Sequence, residues 1–173
     1  MQVVRQAVLL VFVVALVTGC ASTPVTKNAD IPAGTEIVVV PFRDCMISGQ
    51  DEDCNGSGVK TGEAFKEAFS TGKFKARLVD RPVGAKETWS DKDVAAWARS
   101  NGYEYVLTGE VDDFYSVAAM TFRADRAAAS ARIIRASDGM VVAAYSKPGT
   151  AGSNFATPQG MMKGIATEMR NGL

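Results

Sequence analysis

Along this chain apolar residues first form one unbroken block, Ala7 to Val17, then thin out through a polar stretch, and from Glu36 onward recur in short strand-like and helix-like segments. Glu36-Ile37-Val38-Val39-Val40-Pro41-Phe42 is a continuous, mostly β-branched run with a proline stop, which predicts a central strand buried on both faces. Residues 44–58 read as a loop. From Lys60 to Ser70 the pairs Ala64/Ala68 and Phe65/Phe69 fall at the four-residue spacing of one helical face, and Gly72 supplies a left-handed stop. Lys73 to Leu78 alternates strictly, as a strand with one wet face does. Ser90 followed by Asp91 and Asp93 predicts an N-cap with acids in the first turn, opening a helix through Val94, Trp97 and Ala98 to Asn101-Gly102. Tyr103 to Val111 reads as the next strand. Ala131–Arg135 and Met140–Tyr145 flank Asp138-Gly139, a turn dipeptide that tolerates positive φ, and predict a β-hairpin. Thr157-Pro158 caps a last helix with Met161, Ile165 and Met169 along one face and Gly172 at its end. In residues 114–130 the alanines favour a helix while Val117, Thr121 and Phe122 allow a strand.

The order β-α-β-α-β, then a hairpin, then a helix, predicts an α/β (α+β) domain with a mixed sheet and helices covering at least one face.

The opening apolar block has a different meaning. It is shorter than the ~20 residues a spanning helix needs, carries Arg5 before it, and ends at Val17-Thr18-Gly19-Cys20. This resembles the bacterial lipobox: an aliphatic residue, two small residues and a cysteine. The reading is therefore an export signal over residues 1–19, cut between Gly19 and Cys20, with Cys20 acylated as the first residue of a lipoprotein. More than one acyl chain makes a stable anchor where a single chain binds only marginally. Ala21 follows the cysteine where an inner-membrane retention signal would have Asp, so the resemblance implies the outer membrane, with the domain facing the periplasm. Residues 20–35, the lipidated cysteine followed by small, polar and proline-bearing residues, are expected to be a flexible tether spanning about 20 Å. Residues 36–173 then form one globular domain.

Composition narrows the function. There are 19 basic and 19 acidic residues and no basic block, so nothing resembles a nucleic-acid footprint. There is no histidine, which removes His-based triads, His proton shuttles and most zinc or iron sites. Glu110, Asp112 and Asp113 end a strand and keep carboxylate hydrolysis open as an alternative; the solvated strand end is the preferred reading. Tyr103, Tyr105, Phe114 and Tyr115 are read mainly as core and edge protection.

Several segments together resemble a family. They are the strand Ile37 to Phe42, the strand Phe74 to Arg81 ending in Asp-Arg, the segment Gly102 to Val111 with its internal Gly109, and the hairpin Ile133 to Val142. The family is the envelope group that includes the amino-terminal domain of the Tol-Pal periplasmic protein, lipoprotein activators of penicillin-binding proteins, and the curli secretion lipoprotein. The resemblance covers about residues 36–171. It implies a fold, a non-enzymatic role in binding a protein partner during envelope assembly or maintenance, and no cofactor. A structural, homo-oligomeric lipoprotein is the alternative.

The loop between the first strand and the first helix is the favoured contact region. Cys20 is consumed by lipid, leaving Cys45 and Cys54 as an even pair in an oxidising compartment, where a disulfide is expected. Asp51, Glu52 and Asp53 on that loop, with Trp89 in a second loop, are the candidate partner-binding residues. Asp51, Asp53 and Asn55 also stand at positions 1, 3 and 5 of a calcium-loop opening, with Gly56 at position 6. The acid needed at position 12 is one place late, at Glu63, so a plain acidic turn is preferred and no metal is assigned.

Overall fold

A computed structural model describes residues 25–47, 51–116, 125–147 and 157–173. The signal segment and Cys20 lie outside the described residues. Six strands form one mixed sheet in the order β1-β6-β5-β4-β2-β3: β1 (Thr26–Lys27), β2 (Glu36–Val39), β3 (Lys75–Leu78), β4 (Tyr105–Tyr115), β5 (Arg126–Arg135) and β6 (Val141–Lys147). The helices are α1 (Asp51–Cys54), α2 (Ser57–Ser70), α3 (Asp91–Ser100) and α4 (Pro158–Asn171). β2 is parallel to both β3 and β4, while β4, β5, β6 and β1 pair antiparallel in turn. The α/β expectation with a mixed sheet holds, and helices lie on both faces.

The apolar first run is central, as its composition requires. Ile37, Val39 and Phe42 join one core with Phe65, Phe69, Leu107, Ile133, Met162 and Met169, under α2 and α4. Val38 and Val40 point the other way, into a second core with Trp89, Val94, Ala98, Val106 and Ile134, under α3. Period-2 side chains on a strand covered from both sides read as a continuous apolar run for this reason. Aromatic rings line the first core: Phe42 and Phe65 lie 4.8 Å apart, and Phe69 and Phe74 lie 6.0 Å apart, between centroids.

The caps fall where the sequence places them. Ser90 Oγ accepts the Asp93 N–H at 3.2 Å, and Thr157 Oγ1 accepts the Gly160 N–H at 3.1 Å. Between β5 and β6 the turn closes at Gly139 with φ 76°. The Asp138 carboxylate accepts from the Arg135 guanidinium and the Met140 N–H, which together hold its pKa down to about 2. Tyr145 of β6 donates to Glu168 of α4, and Lys147 pairs with the same carboxylate at 2.6 Å, tying the last helix to the sheet. Lys147, then the Tyr145 hydroxyl, holds the Glu168 carboxyl below the usual range; burial and that carboxylate push the Tyr145 phenol up.

The ambiguous stretch resolves in part: β4 runs to Tyr115 and β5 starts at Arg126, while Val117, Thr121 and Phe122 lie outside the described residues. Ala127, Ala129 and Ala131 are buried strand residues of the α2/α4 core. Helix propensity yields here to packing.

The expected tether is shorter than the sequence suggested. From Val25 on, the chain is laid against the domain instead of hanging free. Thr26 and Lys27 pair with Ala144 and Ala143 of β6, the Asn28 N–H donates to Val142 O at 2.8 Å, and Ile31 is buried in the first core. The physical reason is that β6 would otherwise present an open sheet edge, and main-chain pairing closes it.

Candidate functional site

The loop after the first strand is built by an aspartate the sequence reading passed over. Beyond Val39 the chain stays against β4: the Val40 N–H donates to Leu107 O and the Arg43 N–H to Gly109 O, both at 2.9 Å. This delivers Asp44, buried, to the amino terminus of α2. Its carboxylate accepts the Gly58 N–H at 2.6 Å and the Gly56 N–H at 2.9 Å. A negative charge on otherwise orphaned N–H groups stabilises a helix start. It also explains why α2 begins at Ser57, earlier than periodicity predicts. Gly58 is required by the same close approach, because a Cβ there would lie 1.9 Å from Phe42 O. We expect Gly58→Ala to destabilise the domain by about 2–4 kcal/mol through a forced backbone shift; a urea midpoint unchanged from the parent would show that the approach is looser than described.

Cys45 follows Asp44, and its N–H donates to Ser57 Oγ at 3.2 Å. It is disulfide-bonded to Cys54 with Cα atoms 5.0 Å apart, as the even cysteine count predicts. A ring of this size contributes about 2–3 kcal/mol at most by restricting the unfolded chain. Its larger effect is to tie Cys45 to Cys54 beside the start of α2. Glu52 on this segment is exposed and Asp53 is half-buried. Two apolar residues near the bridge in sequence are left in solvent: Met46, next to Cys45, is 62% exposed and Val59, in the first turn of α2, is 46% exposed. Among the described residues these are the large hydrophobic side chains that remain open.

The structure bears on two of the weaker sequence alternatives, calcium at the acidic loop and Trp89 as a contact residue. The calcium alternative needs residues 51–62 to wrap as one loop. Instead Asp51–Cys54 forms a helical turn and Ser57–Ser70 a helix. Asn55 lies between the two helices and Glu63 within the second, so the four do not share one loop as the coordination requires. Among the described residues no group of three or more His, Cys, Asp or Glu is placed to hold a metal. Trp89 is not an exposed contact residue either. It is only 8% exposed and packs edge-on against Trp97, with centroids 5.3 Å apart. Its surroundings are a clamp for the 80–90 loop. Arg81 lies over the Trp89 ring at 5.6 Å and donates to Pro41 O at 3.1 Å and Glu87 O at 2.7 Å. Arg132 pairs with Asp91 and donates to Trp89 O. Burial, then repulsion from Arg132 and Arg43, lowers the Arg81 pKa.

The strand-end acids are held separately. Glu110 pairs with Arg43, Asp112 accepts from Ser130 Oγ at 2.8 Å, and Asp113 pairs with Arg126 at 3.0 Å. Each has its own partner, an arginine for Glu110 and Asp113 and a serine hydroxyl for Asp112, so the three are not gathered at one point. Tyr105 and Phe114 are buried, as read; Tyr103 stacks edge-on against Trp97 at 5.3 Å, and Tyr115 lies under Arg126 at 5.2 Å.

No family model matches this chain, and no curated protein matches it. Solved structures do. Two crystal forms of the PelC dodecamer from Paraburkholderia phytofirmans superpose with a TM-score of 0.64, at 18% and 16% identity. They cover 88% and 87% of this chain and 96% and 95% of theirs. The LpoB C-terminal domain from Salmonella enterica matches at a TM-score of 0.41 and 14% identity, over 70% of this chain and 86% of its own. Lipoprotein GNA1162 from Neisseria meningitidis matches at 0.40 and 15%, over 68% of this chain and 81% of its own. The likeness is one of fold: over 88% of its length the chain is similar in architecture to a PelC protomer.

Proposed function

We propose that this protein is an outer-membrane lipoprotein, anchored through Cys20 and facing the periplasm, whose non-catalytic domain binds a protein partner in envelope assembly or maintenance. The observation that carries the reading is the 45–54 segment. A disulfide joins Cys45 to Cys54, acids lie between them in sequence, and Met46, next to Cys45, and Val59, in the first turn of α2, are the large apolar side chains left in solvent among the described residues. Rigid features with a small apolar centre and a polar rim bind partners at low ordering cost. Lipid anchoring rests on the Val17-Thr18-Gly19-Cys20 pattern, and the non-enzymatic role on the lack of histidine and the separately paired acids.

The test is a double variant, Met46→Asp with Val59→Asp. Both side chains are exposed, so folding stability is expected to change by about 0.5 kcal/mol or less at each position. Proteins that co-purify with the domain after chemical crosslinking in cells are expected to be lost. A folded double variant that retains the same crosslinked proteins would remove this surface from the account.

A second reading, self-assembly, is favoured by one observation: PelC, which shares this fold at a TM-score of 0.64, is described as a dodecamer. In that case the partner at the 45–54 segment is another copy, and native mass measurement of the lipid-free domain would report multiples of the protomer mass.

A further inference from the structure

The amino-terminal segment is fixed to one side of the domain, and that sets the orientation of the whole molecule on a bilayer. Val25 packs at the border of the first core; a Cβ on Gly172, at the end of α4, would lie 2.4 Å from Val25 Cγ2. Thr26 and Lys27 add β1 to β6. Lys27 Nζ donates to Leu173 O at 2.9 Å and pairs with Asp30 at 2.6 Å, and Asn28 Nδ2 donates to Val141 O at 2.9 Å. Only residues 21–24 therefore separate Cys20 from the docked chain. Five residue steps, fully extended, span at most about 18 Å. Part of that reach is used in crossing the headgroup layer, roughly 5–7 Å thick on each side of the hydrocarbon.

The sheet is wider than this reach. β1 and β3 are its two edges, five strand spacings apart, about 24 Å at 4.8 Å each. A domain resting on its β3 edge would place Val25 about 24 Å above the bilayer, which the four-residue link cannot span.

The geometry points to a membrane-apposed face: the β1/β6 edge, with the carboxyl end of α4, lies against the phospholipid headgroups, and the β3 edge projects into the periplasm. This rests on the lipid anchor proposed above. The docked segment converts a lipid that would otherwise only retain the protein into one that also aims it.

The experiment uses the full lipidated chain in vesicles of phosphatidylethanolamine and phosphatidylglycerol containing an energy-transfer acceptor on the headgroup. A donor dye is placed on Ser146→Cys of β6 or on Lys75→Cys of β3; both positions are exposed. Mass spectrometry of the amino-terminal peptide reports the lipid on Cys20. Transfer is expected to be clearly higher from position 146 than from position 75. Inserting about twenty Gly/Ser residues after Pro24 extends the flexible reach to roughly 25–30 Å and should abolish the difference. Lipid on Cys20 with equal transfer from both positions, or higher transfer from position 75, would overturn the orientation and leave the anchor intact. A difference that survives the insertion would also overturn it, because the short link would not be its cause. Absence of lipid from Cys20 would remove anchor and orientation together.

Discussion

Val39→Asp is expected to abolish the folded domain. Val39 is fully buried in β2, and its side chain lies in the core between the sheet and the α2/α4 layer. It belongs to the same buried cluster as Phe65, Phe69, Leu107 and Ile133, apolar side chains that give a carboxylate nothing to pair with. Losing the apolar burial alone costs about 1.5–3 kcal/mol. A carboxyl group placed there must either stay ionised without a partner or take up a proton, and either course adds several kcal/mol. The sum is comparable with the roughly 5–15 kcal/mol that stabilises a domain of this kind. β2 also carries the sheet's parallel core, pairing with β3 on one side and β4 on the other, so local repair by fraying is not open to it. The measurement is thermal unfolding followed by circular dichroism. A cooperative transition at the parent temperature would contradict the placement of Val39.

The second large effect is on location. Cys20→Ser replaces the thiol by a hydroxyl, which does not accept the thioether-linked lipid. The short apolar block before it ends at Val17 and is too short to span a bilayer by itself. Among the described residues no helix is long and apolar enough to do so either. The variant is therefore expected to lose lipid label completely and to accumulate as an unprocessed precursor or in the soluble fraction. The domain should fold normally when produced without residues 1–19, since its core lies between Ile31 and Met169. Recovery of Cys20→Ser as a processed, lipid-labelled membrane protein would defeat the anchor reading.

Much of the fold could be read because its signals are local. The run from Ile37 to Val40 is apolar at every position because α2 and α4 cover one face and α3 the other. Ser90 and Thr157 mark their helices by hydroxyls that reach N–H groups three residues on. Asp138-Gly139 marks its turn by a left-handed glycine.

What escaped the sequence is decided by contacts between distant segments. Asp44 lies well before α2, yet it is the group that starts that helix; nothing in its immediate surroundings announces this. The same long-range cap, together with the disulfide, turns a stretch rich in Asp, Asn and Gly into helix where composition argues for a loop. β1 is joined through main-chain bonds and carries no apolar pattern of its own, so residues 25–31 read as spacer. Trp89 reads as a contact candidate because it lies in a loop beside a cap, but that loop is held down by Arg81 from within it and by Arg132 from distant β5.

The candidate site was legible only in outline. Pairing Cys45 with Cys54 follows from counting and export, and the acids at 51–53 are plain in the sequence. The exposure of Met46 and Val59 is not, since an apolar residue beside a cysteine is more often core. It is these two side chains, standing out next to a fixed segment, that make the surface a contact site in this account.

The most direct measurement is therefore site-specific photo-crosslinking in intact cells, with the reactive side chain installed at position 46 and, as a reference, at Lys92 on the exposed side of α3. The account predicts a discrete covalent adduct from position 46, with one envelope protein or with a second copy of this chain, and none from position 92. An adduct from position 92 with position 46 silent, or no adduct from either, would contradict the claim that this domain works by binding a protein through its disulfide-clamped loop.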